Sequence, residues 1–248
     1  AAVGYSLRRL RTAYSGNCVK VRRASDSTEL DIGFVNNVLD TASLATFCSG
    51  TDGFVTTWYD QSGSSNNATQ TAGANQPKIV SGGVVELENG LPALKFGGAK
   101  RLRVTYASSI TPVTASMVIN SGVTTGKKAF GDDLSVTNNN SIWRQSADIM
   151  RLYGSDTALL HTSASGVLDS QILLSFISDG ASSKLGVNNV FTTGTLPTIS
   201  MAGNSIGADG TSTSYWIGTI QEVIVYGANK SSDLAGIETN INTNYSIY

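Results

Sequence analysis

Apolar and polar residues alternate with a period of two over most of this chain. Residues 54–59 (FVTTWY) read as a strand closed by the polar loop 62–67. The stretches 84–88 and 91–96 flank Asn89-Gly90, the pair suited to a type I′ hairpin turn because both central residues take φ > 0. Pro92 lacks a backbone N–H and belongs near the start of its strand or on an edge. Val19 and Val21, interleaved with Lys20, Arg22 and Arg23, open an earlier strand, and a turn at 25–27 leads into another over 30–34. Further strands are predicted at 101–106, 115–120, 127–131, 141–144, 149–153, 171–178, 184–187 and 216–226. Turn signals rather than helical crossovers separate them, which predicts an all-β antiparallel sandwich and not βαβ units.

Helical spacing occurs at three places. Leu7, Leu10 and Ala13 predict a helical face over 5–13, with Arg8, Arg9 and Arg11 around the rest. Leu44, Ala45 and Phe47 predict a short helix capped by Asp40 or Thr41. Leu234, Ile237, Ile241 and Tyr245 predict a C-terminal helix with Ser232 as its N-cap. With no repeat, linker or charge block, residues 1–248 read as one domain.

Composition narrows the chemistry. Charged residues are 14% of the chain, against about 25% in soluble domains generally. The 17 Lys+Arg against 18 Asp+Glu offer no long-range attraction to nucleic acid or an anionic membrane. Apolar runs such as Ile172-Leu173-Leu174 are far too short to span a bilayer, and no secretory leader is present in the sequence. Cys18 and Cys48 either pair in one disulfide or stay free, and with His161 the only histidine they do not make a zinc site. No cofactor is expected. Calcium is the one metal the residues would suit, at Asp132-Asp133 or at Asp209.

Two stretches resemble a known family. SLRRLRTAYSGNCVKVRRA (6–24) and LDTASLATFCSGTDGFVTTWYDQSGSSNNATQ (39–70) are similar to the N-terminal part of the arabinofuranosidase B catalytic domain, glycoside hydrolase family 54. A third, IGADGTSTSYWIGTIQEVIVY (206–226), looks like the closing strands of concanavalin A-like and laminin-G-like sandwiches. A similar combination is found in tail and surface proteins of bacteriophages. The resemblance implies a concanavalin A-like jelly roll. It also implies that Asp209, in its Ile-Gly-x-Asp turn, matches the family's acid/base position. The family's nucleophile is a Glu from the middle of the domain, yet 89–221 contains no Glu; Asp148, Asp156 and Asp169 stand there without the surrounding motif. The family's paired active-site cysteines are absent too.

The departure from the family's catalytic pattern leads to an expectation of a non-catalytic carbohydrate-binding module of a larger extracellular or virion-surface protein. Alternatives are a structural decoration or tail-fibre domain, self-associating within an assembly, and an arabinofuranosidase-like hydrolase. Sugar C–H faces stack on aromatic rings while hydroxyls bond amides and carboxylates, so Tyr59, Asp60, Gln61, Asn66, Trp143, Asp209, Tyr215 and Trp216 are the candidate glycan contacts. For Asp60 a second role is open, accepting backbone N–H groups that shape the YDQSG loop. The arginines at 8, 9, 11, 22 and 23 form a basic cluster suited to an acidic glycan or a partner subunit.

Overall fold

A computed structural model describes residues 1–122, 127–132, 141–146, 149–154, 159–163, 169–198, 200–208 and 214–248; the side chains of 143, 145, 146, 159 and 161–163 also lie outside the description. The principal strands are β1 (Val3–Ser6), β2 (Val19–Arg23), β3 (Glu29–Ile32), β4 (Gly53–Trp58), β5 (Lys78–Ser81), β6 (Leu94–Phe96), β7 (Leu102–Ile110), β8 (Val113–Ser121) and β9 (Lys127–Gly131). They continue as β10 (Ser141–Ser146), β11 (Ile149–Tyr153), β12 (Leu159–Ser163), β13 (Gln171–Ser178), β14 (Ser183–Val187), β15 (Val190–Gly194), β16 (Met201–Ile206) and β17 (Gly218–Tyr226). Helices α1 (Thr41–Phe47) and α2 (Leu234–Tyr245) complete the frame.

The strands form an antiparallel β-sandwich. One layer runs β1–β17–β8–β13–β14–β15; the other runs β3–β2–β4, then through the short pair Ala68–Thr69 to β7–β16–β9–β10–β11–β12. β6 pairs with both β17 and β5, so the sheet folds over one edge into the second layer. In β8 the alternation explains the packing. Val113, Ala115, Met117 and Ile119 enter the main core between the layers, while Val118 points outward into a second cluster with Ile241 and Tyr245 of α2. α2 is thus a third layer on the outside of one sheet.

Asp40 caps α1, its side chain accepting from Ser43 N at 3.0 Å. Asn89 and Gly90 take φ of 49° and 77° in the tight turn between Glu88 and Leu91. The helix predicted over 5–13 is corrected: β1 pairs with β17 over Val3–Ser6, and these four residues are fully buried. Sheet hydrogen bonds across 216–222 residues of sequence outweigh a weak local helical spacing, a tertiary override of propensity. The Ser232 cap is also corrected. Asp233 precedes α2 without a side-chain cap and bonds Lys230 instead. Cys18 and Cys48 are both buried and free; the Cys18 thiol donates to Ser6 O at 3.3 Å, and burial pushes its pKa up.

Candidate active site

The YDQSG loop begins where β4 ends. Strand alternation buries Trp58 against Tyr5, ring centroids 5.9 Å apart, and turns Tyr59 outward. Tyr59 donates its hydroxyl to Asp31 Oδ1 at 2.6 Å, and burial followed by that bond raises its pKa. Asp60 is 4% exposed and accepts from Gly4 N (2.8 Å), Ser62 N (2.8 Å), Ser62 Oγ (2.7 Å) and Asn66 N (3.0 Å). Gln61 is fully buried; its amide donates to Ser6 O and Arg8 O and accepts from Leu10 N. The bonds of these two side chains run to backbone groups and to the Ser62 hydroxyl. This corrects their assignment as sugar contacts: they staple the loop to the N-terminal segment.

Asn66 stands at the edge of that loop. Its amide donates to Ala2 O at 3.3 Å, and neighbouring Asn67 accepts from Asp60 N at 2.9 Å. Together with Ser65, Thr69, Arg103 and Thr105 they line a polar cleft of about 410 Å³. Arg103 lies opposite Thr69 on one side and Ser205 on the other, and Ser205 lies opposite Gly131. Residues opposite one another share a face. Thr69, Arg103, Ser205 and Gly131 therefore form a row on the sheet face turned away from the core, since Leu102, Val104, Phe130 and Ile206 fill the core face. Asp132 follows directly, 6% exposed, and Arg144, also buried, lies in β10 opposite Lys127 at the other end of β9; both are engaged by neighbours.

The second part of the site is the stem of the loop after β16. Gly207 N donates to Ala129 O and Trp216 N to Gly207 O, both at 2.8 Å, while Lys128 N donates to Ser214 O at 3.3 Å. Gly207 has φ +85°, and a Cβ there would lie 2.2 Å from Phe96 Cδ1, so only glycine fits. Trp216 is fully buried and donates its indole N–H to Asn120 O at 3.0 Å. A ring with no exposed face cannot stack on a sugar, which corrects its assignment as a platform. Tyr215 is half-buried, its ring 5.8 Å from the Arg101 guanidinium carbon. The stem brackets 209–213; Asp209, Asp133 and the Trp143 side chain lie outside the described residues.

Two of the glutamates are taken up by structural hydrogen bonds. Glu222, fully buried, is held by Arg8 (2.8 and 2.9 Å), Ser6 Oγ (2.7 Å) and Tyr245 OH (3.3 Å). Glu88 binds Asn120 and Thr219, both at 2.9 Å. Retaining glycosidases need two carboxyl groups about 5–5.5 Å apart, inverting ones about 6.5–9.5 Å. Asp132 follows β9, and the antiparallel register, Gly131 opposite Ser205, sets it at the far end of that pair from Gly207, where β16 ends. Sequence reasoning passed over Arg103. It sits in an ordinary L-R-V alternation, and only the pairing with Thr69 and Ser205 places it in the cleft.

Comparison with known proteins bears on the chemistry. The family described as the catalytic domain of alpha-L-arabinofuranosidase B matches residues 1–137. Alpha-L-arabinofuranosidase B of Aspergillus oryzae is 34% identical over 128 residues, 50% of this chain and 24% of that protein. The probable alpha-L-arabinofuranosidase B of Aspergillus flavus is 39% identical over 75 residues, 29% of this chain and 15% of that protein. The matched segments thus cover a quarter or less of these relatives. An arabinofuranosidase complexed with arabinofuranosyl-alpha-1,2-xylobiose superposes with a TM-score of 0.74 at 16% identity, covering 97% of this chain and 62% of that one. A Glu-to-Gln mutant of a family 54 enzyme soaked with 4-nitrophenyl α-L-arabinofuranoside gives 0.77 at the same identity and coverage. At such identity the likeness is one of fold, and it agrees with the sandwich expected from the sequence. The family match is to a catalytic domain and overturns the expectation of a non-catalytic binding or decoration module. The likeness to phage surface proteins finds no support in these matches.

Proposed function

This chain belongs to the family of the alpha-L-arabinofuranosidase B catalytic domain, and from that premise we propose that it is a glycoside hydrolase that removes α-L-arabinofuranosyl groups from a glycan. The observation that carries this reading is the family match over residues 1–137, more than half of the chain. The family-like fold over 97% of the chain is consistent with it.

In this reading Asp209 is the general acid. It gives its proton to the glycosidic oxygen as the bond from that oxygen to the sugar's anomeric carbon breaks. A second carboxylate attacks the anomeric carbon, or takes a proton from the water that does. Asp132 is not favoured for that role: β9 and β16 are antiparallel, with Gly131 opposite Ser205, so Asp132 leaves the pair at the end away from Gly207. Asn66 and Arg103, in the polar cleft, bind hydroxyls of the chain that carries the arabinose. Burial in a polar cleft suits a neutral sugar, whose many hydroxyls need planar amide and guanidinium partners.

The test is release of 4-nitrophenol from 4-nitrophenyl α-L-arabinofuranoside. The wild-type protein should release it, and Asp209→Asn should lower kcat/KM by about 10²–10⁴-fold. A folded wild-type protein that leaves the substrate intact would overturn the reading. An Asp209→Asn variant at the wild-type rate would remove Asp209 from it.

A further inference from the structure

We propose that the cleft between α2 and the N-terminal segment, which Gln61 and Ser62 of the YDQSG loop also line, is a second glycan-binding site, and that it takes a sugar chain carrying a uronic-acid carboxylate. The cleft holds about 700 Å³, within the range of sites that enclose small ligands. Its floor is the outer face of β17 and α2, with Ile224, Tyr226 and Ile237 beside Leu10. Such a floor suits the C–H faces of sugar rings. Polar groups on the rim suit their hydroxyls.

Charge selects the kind of sugar. Of the five clustered arginines, four are occupied. Arg8 is paired with Glu222 and Arg23 with Asp26, Arg22 bonds Gln76, and Arg9 lies 5.4 Å from the centre of the Phe34 ring. Arg11 is exposed at the mouth of the cleft, with no ion pair among the described residues. Its guanidinium lies against Gly63 of the YDQSG loop, where an added Cβ would stand 3.1 Å from Nη2. The single carboxylate on the rim, Asp233, is already neutralised by Lys230 at 2.9 Å. The cleft therefore presents the Arg11 cation, and a planar guanidinium fits a carboxylate in two hydrogen bonds. Asn240 accepts from Arg8 at 2.9 Å through Oδ1, which leaves its N–H groups directed to a ligand hydroxyl.

Gly236 adds an independent observation. It lies inside α2 and lines the cleft, it carries no positive φ, and nothing lies within 4 Å of where its Cβ would be. Glycine weakens a helix interior, and neither packing nor backbone geometry requires it here. Its effect is to keep that wall of the cleft bare.

The inference rests on the hydrolase reading for its choice of a polysaccharide, since an enzyme that trims side chains meets the backbone polymer at the same time. Holding that polymer at a second point raises its effective concentration at the first. The test is titration by NMR and calorimetry with a xylo-oligosaccharide bearing one glucuronic acid, against the same oligosaccharide without it. The acidic probe should bind the wild-type protein, at least tenfold more tightly than the neutral one. Arg11→Gln should lose at least tenfold for the acidic probe only, and Gly236→Trp should abolish binding of both at this cleft while the fold persists. Both variants should cleave 4-nitrophenyl α-L-arabinofuranoside at the wild-type rate. No binding, equal affinity for the two probes, or an unaffected Arg11→Gln would overturn the proposal. Binding without cleavage by the wild type would instead count against the hydrolase reading and leave the cleft standing.

Discussion

Glu238 offers a test of the three-layer packing through a single proton. Its side chain lies on the inner face of α2, 1% exposed, against β13. Neither carboxyl oxygen makes a well-aligned hydrogen bond. Burial raises its pKa above the usual 4.5, with the nearby Ser175 hydroxyl pulling less strongly the other way. Below pH 4.5 both folded and unfolded chains hold the proton, and Glu238 costs nothing electrostatically. As pH rises, the unfolded chain releases the proton first, so the folded state binds more protons and stability falls with pH. Above the folded pKa the loss is complete and constant. An unsatisfied buried polar group costs about 1–3 kcal/mol. Glu238 also borders a cavity of about 200 Å³ with Asn242 and Thr243, through which solvent softens the penalty. Glu238→Gln should accordingly stabilise the protein by about 1–2 kcal/mol at pH 7.5 and by close to zero at pH 4. Urea unfolding followed by tryptophan fluorescence at the two pH values reads the difference, and titrations common to both proteins cancel. Equal effects at both pH values, or destabilisation at pH 7.5, would refute the reasoning and mean that the carboxylate is ionised and paired.

Two further substitutions probe the scaffold of the site. Asp60→Ala removes the acceptor of four hydrogen bonds that close the YDQSG loop, and should cost about 2–4 kcal/mol in urea unfolding; a loss below about 0.5 kcal/mol would deny the staple its role. Gly207→Ala places a Cβ 2.2 Å from Phe96 Cδ1 at φ +85°, and should cost about 2–3 kcal/mol together with arabinofuranosidase activity, because the same stem carries the Asp209 loop. A stable and fully active Gly207→Ala protein would show the stem to be adaptable.

Local chemistry made the Asn89-Gly90 turn and the cap of α1 legible, though not the start of α2. Asp40 precedes α1 with Ser43 three residues on, and Asn89-Gly90 sits between two short apolar runs; each signal needs only its neighbours. The same locality misled at residues 5–13, where the pairing of β1 with β17 is decided by residues some 220 positions away. Trp216 illustrates the limit for the site. An aromatic after a tyrosine at a loop end looks like a platform, and only the packing over Asn120 shows that the ring is enclosed. Glu222 appears in sequence as a lone charge within an apolar strand, and its partner Arg8 lies 214 residues away. Asp60 was the more readable residue, because an acid followed by Ser62 and Gly63 is a short-range acceptor for loop N–H groups. Arg103 carried no such mark. Its place in the cleft comes from the register of β7 against its neighbours.

The central claim, that this is a catalytic chain, is tested most directly by a proton NMR time course of 4-nitrophenyl α-L-arabinofuranoside with the wild-type and Asp209→Asn proteins. The account predicts that the wild type consumes the substrate to free arabinose, with the anomer formed first reporting retention or inversion, while the variant leaves it nearly untouched. A folded wild-type protein beside an unchanged substrate spectrum would contradict it.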